Sequence, residues 1–245
     1  MYDDELIPPQ EITLYDGSPD IECFKTVGEL MVRWFIELCD LKPNEKILDV
    51  GCGIGRIAIP LTAYLKDGSY EGFDIVPIGI EWCQKHITPK YPQFRFHLAD
   101  IYNKLYFPEG RNSAAEYKFQ YMSGCFDFVF LTSVFTHMVP EEVENYISEV
   151  SRVLKSGGRF FFTAFILNDE ALEFLARGRS KRQFQHIPNG NYWVANPSMP
   201  EAAIAHQETF IRTKLDAYGL KIKRIILGKW WDNDNAQDIV IGFKE

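Results

Sequence analysis

KILDVGCGIGR, residues 46–56, sets Gly51, Gly53 and Gly55 at alternate positions directly after a short apolar run. The run reads as a buried strand and the glycines as the turn that leaves it. Glycine there permits positive φ and lets another body touch the main chain where a Cβ would clash. A turn of this kind is equally compatible with a tight strand-to-helix connection and no ligand. The rest of the chain decides between the two.

Downstream, YEGFDI (70–75) reads as a second strand, followed by a helix that opens at Pro77, where proline suits the first turn. FRFHLAD (94–100) alternates as a third strand, and FDFVFL (126–131) is an apolar fourth. A helix opening at Pro140 carries Glu141, Glu142 and Glu144 early and runs to Gly157-Gly158. Its core face is Val143, Tyr146, Ile147, Val150 and Leu154. RFFFTAFI (159–166) is a fifth strand. Upstream, residues 22–40 form a helical pattern with Phe24, Val27, Met31, Trp34, Phe35 and Leu38 on one face. Residues 54–65 have helical spacing interrupted by Pro60, which predicts a kink or a late start. Residues 103–124, with Pro108, Gly110, Ser113 and Gly124, read as an insertion, and 168–206 as irregular apart from helix near Leu172–Leu175. A helix over 207–218 precedes two last strands, KIKRIILG and QDIVIGF, joined by KWWDNDNA, whose Trp230 and Trp231 pack the hairpin.

Strands alternating with helices imply an α/β fold. We expect a Rossmann-like, doubly wound, mostly parallel seven-stranded sheet with helices on both faces and a terminal antiparallel β-hairpin. The chain has 245 residues, 46% hydrophobic and 24% charged, and a net charge of −8. That charge argues against a general nucleic-acid surface, because phosphate binding draws on clustered Lys and Arg. The local exception is RGRSKR at 177–182. The acidic amino terminus lacks the apolar core of a signal peptide, and no run approaches a membrane span. Five cysteines without CxxC spacing suggest neither a disulfide framework nor zinc, and fit a reduced, cytoplasmic setting. DNDN at 232–235 lacks the glycine and distal glutamate of a calcium loop, so no metal is expected.

In an open α/β sheet, ligands sit beyond the carboxyl ends of the strands, where the strand order reverses. The three glycines lie at that end of the first strand. Asp74 ends the second, where a carboxylate accepts from both hydroxyls of a ribose. Asp100 ends the third, placed to accept from the amine of an adenine. Taken singly, each is an ordinary turn or helix cap. Together they outline an adenosine. The spacing GxGxG is one residue short of the dinucleotide pattern GxGxxG, and no second nucleotide-binding half is visible. This favours S-adenosyl-L-methionine over NAD.

These residues resemble the class I S-adenosylmethionine-dependent methyltransferases. KILDVGCGIGR is similar to their first motif, YEGFDIVP to the acidic second, FHLADIY to the third and FDFVFLTSVFTHM to the fourth with its following loop; VSRVLKSGGRFFFT is similar to the helix and strand after it. The resemblance covers about residues 22–165. It implies that Gly51, Cys52 and Gly53 approach the methionine and ribose, and that Asp74 holds the ribose diol. It also implies Ile75 on the adenine, Asp100 and Ile101 at its amine, and Leu131 and Thr132 near the methionine end. Asp49 is expected to orient the loop, with Tyr15 and Arg33 as further contacts. The product would be S-adenosyl-L-homocysteine. The chain then reads as one domain over 1–245: a helical cap (1–45), the cofactor-binding core (46–165), an acceptor-binding region (166–206), and the last helix and hairpin (207–245).

Methyl transfer from a sulfonium requires alignment of nucleophile, methyl and sulfur, and exclusion of water. A general base helps when the nucleophile carries a proton. His137, on the loop after the fourth strand, is the catalytic candidate, against the alternative that it caps the helix at Pro140. His206 and Glu208 are second candidates; His86 and His97 read as packing or surface residues. Residues 177–206 mix basic side chains with Phe184, His186, Tyr192 and Trp193. They point either to an anionic or sugar-like small-molecule acceptor, such as a sugar phosphate or nucleotide sugar undergoing O-methylation, or to a solvated basic loop with an aromatic staple. RNA or protein methylation, and a non-catalytic S-adenosylmethionine-binding protein, stay open as alternatives, with an NAD-dependent dehydrogenase the weakest rival. Oligomeric state is not readable.

Overall fold

The computed structural model describes every residue except 1–3, 14–16, 189, 191, 234 and 235. The chain forms two compact units, one comprising residues 1–100 with 126–130 and the other 101–125 with 131–245. The expected contact Tyr15 falls outside the described residues, as does part of the DNDN stretch.

In the first unit, β1 (Lys46–Val50), β2 (Ser69–Asp74), β3 (Phe94–Leu98) and β4 (Phe126–Leu131) pair in parallel in the order β3-β2-β1-β4. The chain steps outward from β1 through β2 to β3, then returns to β1's other side as β4. The strand order therefore reverses at β1, where the glycine turn lies. The short helix α1 (Gln10–Thr13) precedes α2 (Ile21–Cys39), which starts where the Asp20 carboxylate accepts from the Cys23 N–H at 2.7 Å. The buried stripe of α2 is Phe24, Gly28, Val32, Phe35 and Cys39, displaced from the face expected at Val27, Met31, Trp34 and Leu38. Phe24 and Phe35 anchor both readings. The small Gly28 and Cys39 decide the rotation, because they let the helix come close without leaving a gap, and Phe35 packs its ring on Phe128 and Phe130 of β4. Pro60 resolves as a late start: α3 (Ala58–Tyr64) begins two residues before it, so the missing N–H falls among the first-turn donors that have no intrahelical partner anyway. α4 (Pro77–His86) packs on β2 and β3.

In the second unit, α5 (Pro140–Val153) passes directly into β5 (Leu154–Leu167), so the helix stops short of the expected Gly157-Gly158. Leu154 is already extended, and Gly157 turns at φ 74° within the strand. α6 (Asp169–Ala176) follows, capped by Asn168. The stretch read as irregular contains three short strands, β6 (Gln185–His186), β7 (Tyr192–Val194) and β8 (Ile204–Gln207). β8 runs parallel to β5, and β7 and β6 continue from it antiparallel. The structure therefore has ten strands among the described residues, seven as expected and three more. Runs of two to four residues are too short for alternation to reveal. α7 (Glu208–Ala217) leads to β9 (Leu220–Ile226) and β10 (Asp238–Lys244), an antiparallel hairpin with β10 also antiparallel to β5. Trp230 and Trp231 are fully buried with Phe165 and Phe184, and Asp238 accepts from the Trp230 indole at 3.1 Å. No described helix is long and apolar enough to cross a membrane.

Candidate active site

The glycine turn is held by the end of β2. Gly51 N–H and Cys52 N–H both donate to the Phe73 carbonyl, at 2.9 and 3.1 Å, and Gly53 N–H donates to the Asp74 carboxylate at 2.7 Å. Gly51, Gly53 and Gly55 have φ of 81°, 53° and 83°, which L side chains rarely adopt. A Cβ built on Gly53 meets nothing within 4 Å, so the main chain there faces open space. At Gly55 a Cβ would press on Cys83 and Ile87 at 2.9 Å, so that glycine serves close packing against α4.

Asp74 has a second backbone donor, Val76 N–H at 2.9 Å on its other oxygen. Each oxygen so engaged keeps a lone pair, and two lone pairs on one carboxylate match a vicinal diol. Burial raises its pKa, while the Val76 and Gly53 amides oppose that. Ala99 N–H donates to the Asp74 carbonyl at 2.8 Å, and Asp100 lies two residues past Leu98, the partner of Asp74 at the end of β2. Gly51, Cys52, Gly53, Asp74, Ile75 and Asp100 are thereby gathered at one end of one sheet. The residues fit an adenosyl group: a cradle open above Gly53, a diol acceptor and a second carboxylate.

Asp49, expected to orient the loop, lies within β1 and bonds to β2. It is 1% exposed, accepts from the Tyr70 hydroxyl at 2.6 Å, and its Oδ1 has no hydrogen-bond partner. Burial pushes its pKa up to about 8, with the Tyr70 hydrogen bond opposing and the Asp74 charge adding. Tyr70 was not legible as a site residue; it reads as one more aromatic in a strand. Gly79 on α4 was also missed. A Cβ there would stand 2.6 Å from the Gly53 carbonyl, so the helix touches the turn main chain to main chain. Arg33 is exposed on α2.

The other expected residues lie in the second unit. Ile101 and Leu131 are buried and Thr132 is half-buried. The chain then turns at Ser133, φ 58°, whose N–H donates to Thr163 at 2.8 Å, and enters a single 3-10 turn over Phe135–His137. His137 Nδ1 contacts the Glu201 carbonyl at 2.7 Å. A carbonyl only accepts, so Nδ1 carries the proton and Nε2 the lone pair. Nε2 makes no hydrogen bond among the described residues. Burial lowers the His137 pKa, leaving the ring neutral at pH 7, and Tyr106 from the 101–125 insertion meets it edge to face at 5.3 Å. His137 does not cap α5; Glu142 does, accepting from Val139 N–H at 2.9 Å.

His206 is fully buried, its Nε2 donating to the Phe135 carbonyl at 3.1 Å, and burial brings its pKa down to about 4. Glu208 pairs with Arg212 one turn along α7 at 2.7 Å and serves the helix. His97 contacts Glu71 at 3.0 Å and His86 stacks on Trp82 at 3.8 Å; both belong to surfaces. Three arginines of the basic stretch have neighbours in their own chain. Arg177 pairs with Glu173 at 2.5 Å, Arg179 lies over Phe174 and Arg182 over Phe165.

A family model for a methyltransferase domain matches residues 47–158. The eEF1A lysine and N-terminal methyltransferase homolog of Drosophila pseudoobscura pseudoobscura is 29% identical over 168 residues, covering 63% of this chain and 23% of that protein. The chain thus spans about a quarter of the length of such curated relatives. Two crystal structures share the fold. The PH0226 protein from Pyrococcus horikoshii OT3 aligns over 97% of this chain and 100% of its own, with TM-score 0.65 and 16% identity. The magnesium protoporphyrin IX methyltransferase from Synechocystis PCC 6803, with bound S-adenosylhomocysteine, aligns over 90% and 83%, with TM-score 0.57 and 19% identity.

Proposed function

We propose that this chain is a class I S-adenosylmethionine-dependent methyltransferase that transfers a methyl group to a small-molecule or protein acceptor in the cytoplasm, a reading supported by the methyltransferase-domain match over residues 47–158. The observation that carries the reading is the Gly53–Asp74 contact: a carboxylate with lone pairs to spare, bonded to a positive-φ glycine that faces open space.

Gly51, Cys52, Gly53, Asp74, Ile75 and Asp100 would hold the adenosine and its ribose. S-adenosyl-L-methionine, when bound, supplies an electrophilic methyl on a sulfonium. His137, neutral and with its proton held on Nδ1 by the Glu201 carbonyl, receives at Nε2 the proton of the attacking group. The region 166–206 carries the acceptor. A phosphorylated sugar is one acceptor reading, supported by the guanidinium groups of Arg177, Arg179 and Arg182 in that region. A nitrogen acceptor is the second reading, supported by the relative named for lysine and N-terminal methylation.

Calorimetry with S-adenosylmethionine, S-adenosylhomocysteine and NAD tests the assignment. Both adenosyl ligands should bind and NAD should not, and Asp74→Ala should weaken them by roughly 1.5–3 kcal/mol, the scale of hydrogen bonds to a charged group. Binding of NAD, or of neither class, overturns it.

A further inference from the structure

Between Thr132 and His137 the backbone takes a conformation that its residue does not favour. Ser133 has φ 58°, in the left-handed region that a residue with a Cβ enters only when its surroundings hold it there. Two other non-glycine residues among those described share it. Asp40 ends α2, where that conformation is ordinary, and Lys229 lies between β9 and β10. Ser133 instead joins β4 to the 3-10 turn of His137.

Two side chains hold Ser133, one on β5 and one at the start of β10. Thr163, buried on β5, accepts the Ser133 N–H at 2.8 Å. The Gln237 carboxamide donates to the Ser133 hydroxyl at 3.0 Å, and its carbonyl oxygen stands 3.3 Å from the same hydroxyl. Gln237 is itself anchored. It directly precedes β10, whose Asp238 and Ile239 pair with Ala164 and Thr163 of β5. The buried Asp238 carboxylate accepts from Ile166 N–H, Gly228 N–H and the Trp230 indole, at 2.8, 2.9 and 3.1 Å. A Cβ on Gly228 would run into the Gln237 carbonyl, so the two main chains touch there. The Gln237 side chain thus reaches Ser133 from a fixed backbone.

Further along, the same segment is gripped again. The Phe135 ring meets Phe162 at 4.9 Å, and His137 Nδ1 donates to the Glu201 carbonyl at 2.7 Å. A serine released from φ 58° relaxes to negative φ, and the turn that follows swings with it. The His137 ring would not keep its bond to Glu201 through such a swing.

We propose that Gln237 is a positioning residue for methyl transfer: by holding Ser133 in the left-handed conformation, it sets the His137 ring with its proton on Nδ1 and its lone pair at Nε2. Gln237 acts only through Ser133, and its duty rests on the methyltransferase reading with His137 as the base.

The test is ¹⁵N spectroscopy of the imidazoles in full-length protein at pH 8, where His137 is neutral and its two nitrogens report the tautomer. In the wild type Nδ1 should be protonated and Nε2 bare. Gln237→Ala should draw the two resonances toward each other as the tautomers mix. Ser133→Gly in the Gln237→Ala background should restore the wild-type pattern, because glycine adopts positive φ without support. That rescue separates control of the Ser133 backbone from a general loss of packing, which glycine would worsen. A wild-type Nε2 proton, an unchanged His137 spectrum in Gln237→Ala, or a disturbed spectrum that Ser133→Gly fails to restore overturns the proposal. Calorimetry with S-adenosylmethionine on the wild type keeps the two readings apart. Binding together with any of those spectra sinks this inference and leaves the methyltransferase reading standing. No binding sinks the methyltransferase reading and, with it, the duty assigned to Gln237.

Discussion

Asp49→Asn probes the buried carboxyl under the glycine turn. The folded state holds its pKa at about 8 against 3.8 for the free group, chiefly through burial. Between those values the folded chain keeps the proton and the unfolded chain has lost it. Stability therefore falls as pH rises, by about 1.4 kcal/mol per pH unit. The contribution is fully present below pH 4 and gone once pH has passed the folded pKa, a total of roughly 6 kcal/mol for the four-unit interval. Over pH 5 to 7 the share is about 3 kcal/mol, a large part of the roughly 5–15 kcal/mol that stabilises a domain. Asparagine keeps the acceptor for the Tyr70 hydroxyl but has no proton to lose. Urea unfolding of both proteins at pH 5, 6 and 7, without ligand, gives the difference, because the groups that do not interact with Asp49 titrate alike in both. The wild type should lose stability relative to Asp49→Asn by about 1.4 kcal/mol for each unit. Parallel curves would mean that the carboxyl is already ionised in the fold at pH 5, and the reading of Asp49 as protonated through burial would be refuted.

Gly79→Ala places a methyl 2.6 Å from the Gly53 carbonyl, so helix or turn must move. S-adenosylmethionine affinity should drop at least tenfold in calorimetry, and unchanged affinity would show that the turn tolerates displacement. His137, desolvated in the fold, should titrate by ¹⁵N spectroscopy below the usual 6.5 and carry its proton on Nδ1 when neutral; a midpoint above 6.5, or an Nε2 proton, would remove it as base.

The strands that build the first sheet were legible because each is a run of apolar residues bounded by turn residues, and the glycine turn because three glycines at alternate positions have few other uses. Asp74 and Asp100 followed from their places at strand ends. None of this required knowledge of which residues meet at a distance. Where such meetings decide, the local pattern failed: α2 turned its face to use Gly28 and Cys39, and three strands of two to four residues formed only because β5 offered an edge to pair with. The stretch 177–182 was legible as charge, while its neighbours were not: Arg177 pairs with Glu173, and Arg179 and Arg182 lie over the rings of Phe174 and Phe165. His137 could be named from its position, yet its tautomer and neutrality come from the Glu201 carbonyl, sixty-four residues away, and from burial. Strand periodicity and turn chemistry are local properties that a sequence carries by itself. Proton positions, unmet acceptors and ring contacts depend on what folding brings alongside, and only the tertiary structure decides them.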